Sequence, residues 1–190
     1  SCTNVSSGFI PNTGVYDLTV EAEDNAGNKA TSGPVFFAIY DPAAGSASGA
    51  GRFIPGGATS DPGDLLPGLD NTSPAQFGFQ VKYTQPGATT PTGSLQFRYQ
   101  QGNFSLLSNS TDWLVINNNL AKFQGKSTIT GQTGEFPFRV EARDGNFGGG
   151  TQPDRFVIKV WSPGSNPDLD NPIHKASGDL VTGSIVIHAQ

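Results

Sequence analysis

The amino-acid sequence predicts an all-β protein, an antiparallel β-sandwich, from three observations. Apolar and polar residues alternate with period two in several short segments, which is the pattern of half-buried strands. Turn-forming residues are abundant, with 25 Gly and 14 Pro among 190 residues, and they separate the alternating segments. No window shows the spacing of an amphipathic helix. Short strands joined by Gly- and Pro-rich turns indicate a sandwich.

Seven segments carry this pattern. In the clearest of them, Phe77, Phe79 and Val81 fall on one face of the predicted strand. The predicted strands are 35–39, 77–83, 95–99, 113–116, 136–142, 156–160 and 184–188. Turn clusters at 85–87, 91–93, 117–119, 131–134 and 148–150 separate them.

One motif occurs twice along the chain. The tripeptide Val-Glu-Ala stands at 20–22 and again at 140–142, and Asp24 and Asp144 follow at the same spacing. Both copies then turn through Gly and Asn, continue into a second apolar strand and end at a proline, Pro42 or Pro163. Each copy therefore predicts a hairpin that closes a β-sandwich.

The composition of 43–52, which is almost entirely Ala, Gly and Ser, predicts a flexible linker between two domains. Residues 1–42 then hold about three strands, whereas a complete immunoglobulin-like sandwich needs about seven. We therefore expect 1–42 to be the C-terminal part of such a module and 53–190 to be a second β-sandwich. The missing part either precedes Ser1, or 1–42 packs on the following domain.

Two resemblances to known families follow from these segments. Residues 14–28, in which Tyr16 and an alternating strand precede Asp24, Gly27 and Asn28, resemble the end of bacterial immunoglobulin-like repeats of the hyaline-repeat and PKD-like kind. Residues 50–190 resemble the post-choice-of-anchor type of β domain near the C-terminus of bacterial surface and secreted proteins. The matching segments of this second resemblance are 77–83, 91–97, 112–117, 154–161 and 183–188.

These resemblances imply a cell-surface or secreted sandwich, immunoglobulin-like or jelly-roll-like, without assigned chemistry and without catalytic residues. The chain departs from the second family at 53–55, which reads Phe-Ile-Pro where an aromatic, Gly-rich lead-in is expected. The pairing of the first strand of that domain is therefore left open.

Charge and composition limit the kinds of partner that this chain is expected to have. Only 14% of residues are charged, against roughly 25% in average soluble domains, and such a surface of Ser, Thr, Asn and Gln is typical of secreted β proteins. The net charge of −5 disfavours nucleic acid as a partner. No apolar run approaches the roughly 20 residues that a membrane span needs. The single cysteine, Cys2, is either a spare thiol or has its disulfide partner upstream.

No pattern in the sequence predicts catalysis. The two histidines, His174 and His188, lie in no nucleophile signature. Calcium is the best cofactor candidate, because three loops concentrate the oxygen ligands that this ion prefers. Turns require the same residue types, so the loops are equally explained by chain geometry. The candidate ligands are Asp24, Asn25, Asn28, Asp144, Asn146, Asp168, Asp170 and Asn171.

Four aromatic residues are candidates for stacking on sugar rings: Tyr83, Tyr99, Trp113 and Trp161. The alternative is that they fill the core of the sandwich. Because faces alternate along a strand, Trp161 is expected opposite the face of Val160. We therefore expect Trp161 to be accessible to solvent or to lie at a module interface.

The expected function is that of a non-catalytic extracellular module, structural or adhesive, in a bacterial surface or secreted protein. Its expected partners are neighbouring modules or copies of the same protein, joined through unpaired strand edges. The alternative is a carbohydrate-binding module, appended to a secreted hydrolase, with a polysaccharide as its partner.

Overall fold

The computed structural model describes residues 14–18, 21–31, 35–39, 45–85 and 88–188, with 14–18 and 35–39 described as backbone only. The predicted all-β, antiparallel fold is confirmed. The strands are β1 (Gly14–Leu18), β2 (Glu21–Glu23), β3 (Lys29–Thr31), β4 (Val35–Ile39), β5 (Ser46–Phe53), β6 (Ala75–Lys82), β7 (Thr92–Tyr99), β8 (Phe104–Asn117), β9 (Leu120–Ile129), β10 (Phe136–Arg143), β11 (Arg155–Val160), β12 (His174–Asp179) and β13 (Thr182–His188). A 3-10 turn, Phe147–Gly149, lies between β10 and β11.

A nine-stranded antiparallel sheet dominates the described part of the chain. Strands β5 to β12 are neighbours in the order in which they occur, and β13 returns to pair with β5. The last two strands, β12 and β13, therefore lie at opposite edges of the sheet, although only Leu180 and Val181 separate them in sequence. The sheet must consequently curl until its two edges approach each other, which gives it the two facing halves of a sandwich.

Aromatic rings from the two facing halves fill the space between them. The ring of Phe156 on β11 stacks on that of Phe77 on β6, with centroids 3.9 Å apart, and lies 5.8 Å from that of Phe53 on β5. Phe79 and Phe123 form a second contact across the core, at 5.2 Å. These rings are buried, so their apolar area contributes most to the stability of the fold.

Strand β8 bends from one half of the sheet into the other. Its first residues pair with β7 and its remainder pairs with β9. Two irregularities in register, between Ser108 and Ser110 and between Thr111 and Trp113, interrupt the second pairing. Such bulges increase the local twist of a strand, and they lie where β8 passes from one neighbour to the other.

The linker predicted for 43–52 is wrong where the structure describes it, since 46–53 is the strand β5. This strand pairs with β13 on one side and β6 on the other. Its small residues are a packing requirement: a Cβ atom at Gly49 would lie 2.8 Å from Ile185 Cγ1, and one at Gly51 would lie 2.6 Å from the carbonyl oxygen of Thr182. Residues 43 and 44 lie outside the described residues.

The repeated motif forms a hairpin in both copies. The first copy joins β2 to β3 through the turn at 24–28, and the second joins β10 to β11. In both, the first carboxylate oxygen of the aspartate accepts the backbone N–H two residues later: Asp24 from Ala26 at 2.8 Å and Asp144 from Asn146 at 3.0 Å. The shared sequence therefore encodes the same local turn.

Around the first hairpin, β1 and β4 pair with each other, and both have Cα atoms within 8 Å of β8.

The outer edge of β13 is covered by two buried aspartates. Asp154 accepts the backbone N–H of Ile185 at 2.6 Å and, with its other oxygen, that of Gly145 at 2.8 Å. Asp144 accepts the N–H of Ile187 at 3.2 Å. Side-chain carboxylates thus replace the missing neighbouring strand and hold β13 against the loop that joins β10 to β11.

The outer edge of β12 is covered by the loop 54–74. The backbone N–H of Lys175 donates to the carbonyl oxygen of Leu65 at 2.9 Å. The N–H of Ser177 donates to a carboxylate oxygen of Asp64 at 2.9 Å, and that of Asp179 to the hydroxyl of Thr59 at 3.1 Å. These N–H groups are therefore not available to pair with another chain.

We expect Asp154→Ala to lower the free energy of unfolding by about 2–6 kcal/mol, because it leaves two buried N–H groups without an acceptor at about 1–3 kcal/mol each. Urea denaturation followed by far-UV circular dichroism measures the change. Asp112→Ala is the control, since Asp112 is exposed and should change stability by less than about 0.5 kcal/mol. Equal effects of the two substitutions would show that the Asp154 contacts do not hold the edge.

Candidate functional site: a cationic groove on the outer face

A groove of about 200 Å³ lies on the outer face of the half-sheet formed by β9 to β12. Its floor consists of outward-facing side chains of these strands, and its rim comes from β8 and the loop 54–74. The residues that line it are Asp61, Trp113, Lys122, Arg139, Val140, Glu141, Val157, Lys159 and Lys175. Four of these nine residues are cationic, although the chain as a whole has a net charge of −5.

Three of the cations form a continuous row across the sheet. Arg139 on β10 lies directly opposite Lys159 on β11, which lies directly opposite Lys175 on β12. Like charges at directly opposed positions destabilise a sheet. The repulsion between the three charges in this row therefore lowers the stability of the folded sheet.

Two members of the row have partners within the protein. Arg139 forms an ion pair with Asp168 at 2.7 Å and donates to the side-chain oxygen of Gln124. Lys175 donates to the carbonyl oxygen of Pro62 at 3.0 Å and lies 4.0 Å from a carboxylate oxygen of Asp61.

The neighbouring row of outward residues contains a pair of its own, in which Lys122 and Glu141 are 2.8 Å apart. In contrast, the Lys159 ammonium forms no ion pair with any residue in the described ranges. Lys159 is thus the cation of the groove whose charge is least compensated.

The surroundings of Lys159 disfavour its charge. Although its side chain is exposed, the walls of the groove remove part of its hydration. This loss of water, followed by the positive charges of Lys175 and Arg139, lowers the pKa of Lys159 below the ordinary lysine value, and the negative charges of Glu141 and Asp61 offset this shift only in part. An anion bound beside Lys159 would favour the charged form of the lysine and so oppose this shift of its pKa.

Aromatic rings hold Arg139 in place. Its guanidinium carbon lies 5.6 Å from the ring centroid of Trp113 and 5.6 Å from that of Trp161, within the range of a cation–π contact. The ion pair with Asp168 fixes the guanidinium from a third direction. Arg139 therefore forms a rigid end to the cation row.

Of the four aromatic residues that the sequence analysis selected, Trp113 is the one that lines the groove, and its ring is partly exposed. The expectation that Trp161 is solvent-accessible is wrong, since Trp161 is only 2% exposed. The alternation placed it on the outer side of β11, but the loop 162–172 covers it, and its Nε1–H donates to the carbonyl oxygen of Asp170 at 2.8 Å.

The two tyrosines belong to the core. Tyr99 is fully buried at 0% exposure, and Tyr83 is 9% exposed. The Tyr83 hydroxyl donates to the carbonyl oxygen of Leu114 at 3.1 Å, and the Tyr99 hydroxyl lies 3.2 Å from a carboxylate oxygen of Asp70. Neither ring has a face on which a sugar could stack. Cys2 lies outside the described residues.

The predicted calcium ligands already serve other contacts. Asp24 accepts hydrogen bonds from Ala26 and Asn28, and Asp144 accepts those of its turn and of β13. Asp168 pairs with Arg139, whose positive charge would repel a cation, and Asp170 accepts the backbone N–H of Asn166. The remaining predicted ligands, Asn25, Asn146 and Asn171, are exposed.

Among the residues that the structure describes, no group of three or more His, Cys, Asp or Glu side chains is placed to hold a metal ion. Calcium binding stays a prediction of the sequence. His174 lies on β12 with its ring against that of Phe104 at 4.7 Å, and burial lowers its pKa. His188 is exposed at the end of β13.

The loop 54–74 sets the rim of the groove as well as the edge of β12. Its Asp61 pairs with Arg155 of β11 at 2.5 Å, and the backbone N–H of Asp61 donates to the hydroxyl of Ser177 at 2.6 Å. Arg155 also pairs with Asp179 at 3.1 Å. A carboxylate is thus held at the side of the groove next to Lys175.

A second depression, of about 400 Å³, lies on the outer face of the other half-sheet. Its polar lining includes Gln76, Gln96 and Arg98. The two phenylalanines that border it, Phe77 and Phe97, are buried in the core, at 6% and 1% exposure. Because it offers one cation and no exposed aromatic ring, it is the weaker candidate.

Arg139, Lys159 and Lys175 were not predicted from the sequence as functional residues. The alternation of β10 and β11 already places Arg139 and Lys159 on the outer face, so that signal was present in the sequence. The register that sets them side by side was not, and β12, which carries Lys175, was not predicted as a strand.

Comparison with protein-family models, with curated proteins and with solved structures gives no match for this chain. The described part of the chain contains no helix with the length and apolarity needed to cross a bilayer.

We expect Lys159→Gln to raise the free energy of unfolding at neutral pH by about 0.2–1 kcal/mol, because it removes a like charge between Arg139 and Lys175. Because the pKa of Lys159 is lowered in the folded state, its charge opposes folding below that pKa, and this cost disappears as the pH rises towards the ordinary lysine value. The advantage of the variant should therefore vanish at alkaline pH.

Urea denaturation of the wild type and the variant at neutral and at alkaline pH measures this difference. Lys82→Gln is the matched control, since Lys82 is an exposed lysine on β6, in the other half of the sheet. A variant that is less stable than the wild type at neutral pH would show that Lys159 has a favourable partner.

Proposed function

We propose that this chain is a non-catalytic extracellular module, structural or adhesive, of a bacterial surface or secreted protein. The observation that carries the proposal is that outward N–H groups on both edge strands are bonded within the chain. Those of Ile185 and Ile187 on β13 donate to Asp154 and Asp144, and those of Lys175, Ser177 and Asp179 on β12 donate to the loop 54–74. A sheet with covered edges can be placed beside many neighbours without fusing with them. The low content of charged residues agrees with an extracellular setting.

Neighbouring modules would in this case attach through the faces of the sheet. Assembly by strand pairing at the edges of β12 and β13 is therefore not expected, because the described N–H groups at these edges already have acceptors within the chain.

We expect the full chain to remain a monomer over a wide concentration range, since the outward N–H groups of Lys175, Ser177 and Asp179 on β12 and of Ile185 and Ile187 on β13 are already bonded within the chain and disfavour strand addition. Multi-angle light scattering after size-exclusion chromatography measures the molar mass. Asp64→Ala is the informative variant: it removes the acceptor of the Ser177 N–H and should promote association. Filaments or oligomers of the wild-type chain that increase with concentration would contradict the proposal.

The second candidate is carbohydrate binding, and the groove beside Trp113 favours it. Trp113 presents a partly exposed ring at the wall of a groove that is also lined by charged groups able to bind hydroxyls. Ligand sites commonly combine an apolar wall with a few placed polar groups. In this case the module would attach a surface protein, or a secreted hydrolase that carries it, to a polysaccharide.

We expect Trp113→Ala to weaken polysaccharide binding by about two- to tenfold, the effect of losing one aromatic contact of about 0.5–1.5 kcal/mol. Pull-down with insoluble polysaccharides, or affinity electrophoresis with soluble ones, measures the loss. Phe147→Ala is the control, because Phe147 is 37% exposed and lies outside the groove. If both variants bind as the wild type does, the groove is not a sugar site.

A further inference from the structure

We infer that the cationic groove binds a carboxylate-bearing sugar unit of an acidic polysaccharide, with Lys159 meeting the carboxylate and Trp113 lying against the sugar ring. The inference rests on the carbohydrate-binding candidate above and adds the chemical class of the ligand. Its basis is the coincidence of two features in one groove: a cation that forms no ion pair with a described residue and a partly exposed aromatic ring.

The cation row accounts for the carboxylate. Arg139, Lys159 and Lys175 stand in one line across three strands. The Lys159 ammonium at its centre forms no ion pair with a described residue, although Glu141 and Asp61 attract it from beyond ion-pair distance. Native sheets avoid opposed like charges. A bound carboxylate would turn this unfavourable arrangement into charge-assisted hydrogen bonds, which are among the stronger polar contacts in proteins. The lowered pKa of Lys159 agrees with this, because it shows that the surroundings of the ammonium do not fully compensate its charge.

The remaining lining accounts for a sugar ring. Trp113 supplies a flat apolar wall, and Val157 supplies an apolar part of the floor. The carboxylates of Asp61 and Glu141 lie in the same groove and can accept hydrogen bonds from hydroxyl groups. A uronic acid combines one carboxylate, several hydroxyls and a ring with an apolar face, so each of these features has a counterpart in the lining.

The carboxylates of Asp61 and Glu141 also limit the charge density of an anion that the groove can bind. They repel a polymer that carries negative charge at high density, such as a nucleic acid with one charge per roughly 1.7 Å of duplex. A polysaccharide with one carboxylate per sugar ring spaces its charges further apart and can direct one of them to Lys159.

An acidic peptide is the other polyanion of similar charge spacing, and the fold disfavours it. Extended peptides commonly bind by adding a strand to an open sheet edge. The edges of β12 and β13 are covered by the loop 54–74 and by Asp144 and Asp154, and the groove lies on a sheet face. The volume of about 200 Å³, below the range of pockets for drug-sized ligands, suits one ring of a chain that extends across the face.

The test uses the full chain and affinity electrophoresis or calorimetric titration, in buffer with chelator so that calcium does not gel the polymers. The probes are polygalacturonate, alginate and a glucuronic acid polymer, each paired with its carboxyl-reduced neutral counterpart, together with poly-glutamate. We expect at least one polyuronate to bind tenfold or more tightly than its neutral counterpart and than poly-glutamate. Higher ionic strength should weaken this binding.

Two variants assign the binding to the groove. Lys159→Gln should weaken polyuronate binding by about tenfold, whereas Lys82→Gln, which changes the net charge equally, should leave it unchanged. Because Lys159 is exposed, the variant is expected to fold, and its unfolding curve verifies this. Trp113→Ala should weaken binding of the polyuronate, because it removes the contact with the sugar ring. It should leave the affinity for poly-glutamate, which has no sugar ring, unchanged.

The outcomes that overturn the inference are distinct. Equal binding of a polyuronate and its neutral counterpart would retain the carbohydrate candidate but exclude recognition of the carboxylate. Equal binding of poly-glutamate would show unspecific attraction of polyanions, or a peptide ligand. Equal loss in Lys159→Gln and Lys82→Gln would place the site elsewhere. No binding to any of these polymers would refute both the inference and the carbohydrate candidate.

Discussion

The closure of the curled sheet by buried carboxylates is the constraint on which the rest of the structure depends. Because β12 and β13 are consecutive in sequence but lie at opposite edges, the chain must bring the two edges together without pairing them. Asp154 resolves this by accepting N–H groups from Ile185 of β13 and from Gly145 beside β10. The two facing halves are thereby held at the distance at which Phe77 and Phe156 stack.

The loop 54–74, which covers the edge of β12, also forms part of the candidate site. The loop 54–74 satisfies the outward N–H groups of β12, and it also places Asp61 and the carbonyl oxygen of Pro62 beside Lys175. On the other side of the groove, the loop 162–172 covers Trp161 and carries Asp168 to Arg139. Two loops that cover the sheet therefore also neutralise the outer members of the cation row and leave its centre, Lys159, unpaired.

A comparison of the two copies of the repeated motif shows how one local signal serves two roles. Asp24 and Asp144 make the same hydrogen bond to the backbone two residues later. The other hydrogen bonds that the Asp24 carboxylate accepts come from the backbone N–H and the side-chain amide of Asn28, within the same turn. Asp144 is buried and reaches β13, 43 residues further along the chain. The local turn is a property of the motif, whereas the closure of the sheet is a property of where the motif lies.

The sequence by itself determined the strand class, seven of the strands and the turns between them, because alternation and turn residues act over a few positions. It could not predict β5, β9 or β12, whose inward positions include small residues such as Gly49, Gly125 and Gly178 that give little hydrophobic signal. Only the tertiary structure decided the candidate site. Register sets Arg139, Lys159 and Lys175 side by side, and the loop 162–172 folds back over Trp161 while Trp113 stays partly exposed. Strand register and the path of a loop depend on tertiary packing, so no local pattern of alternation specifies them.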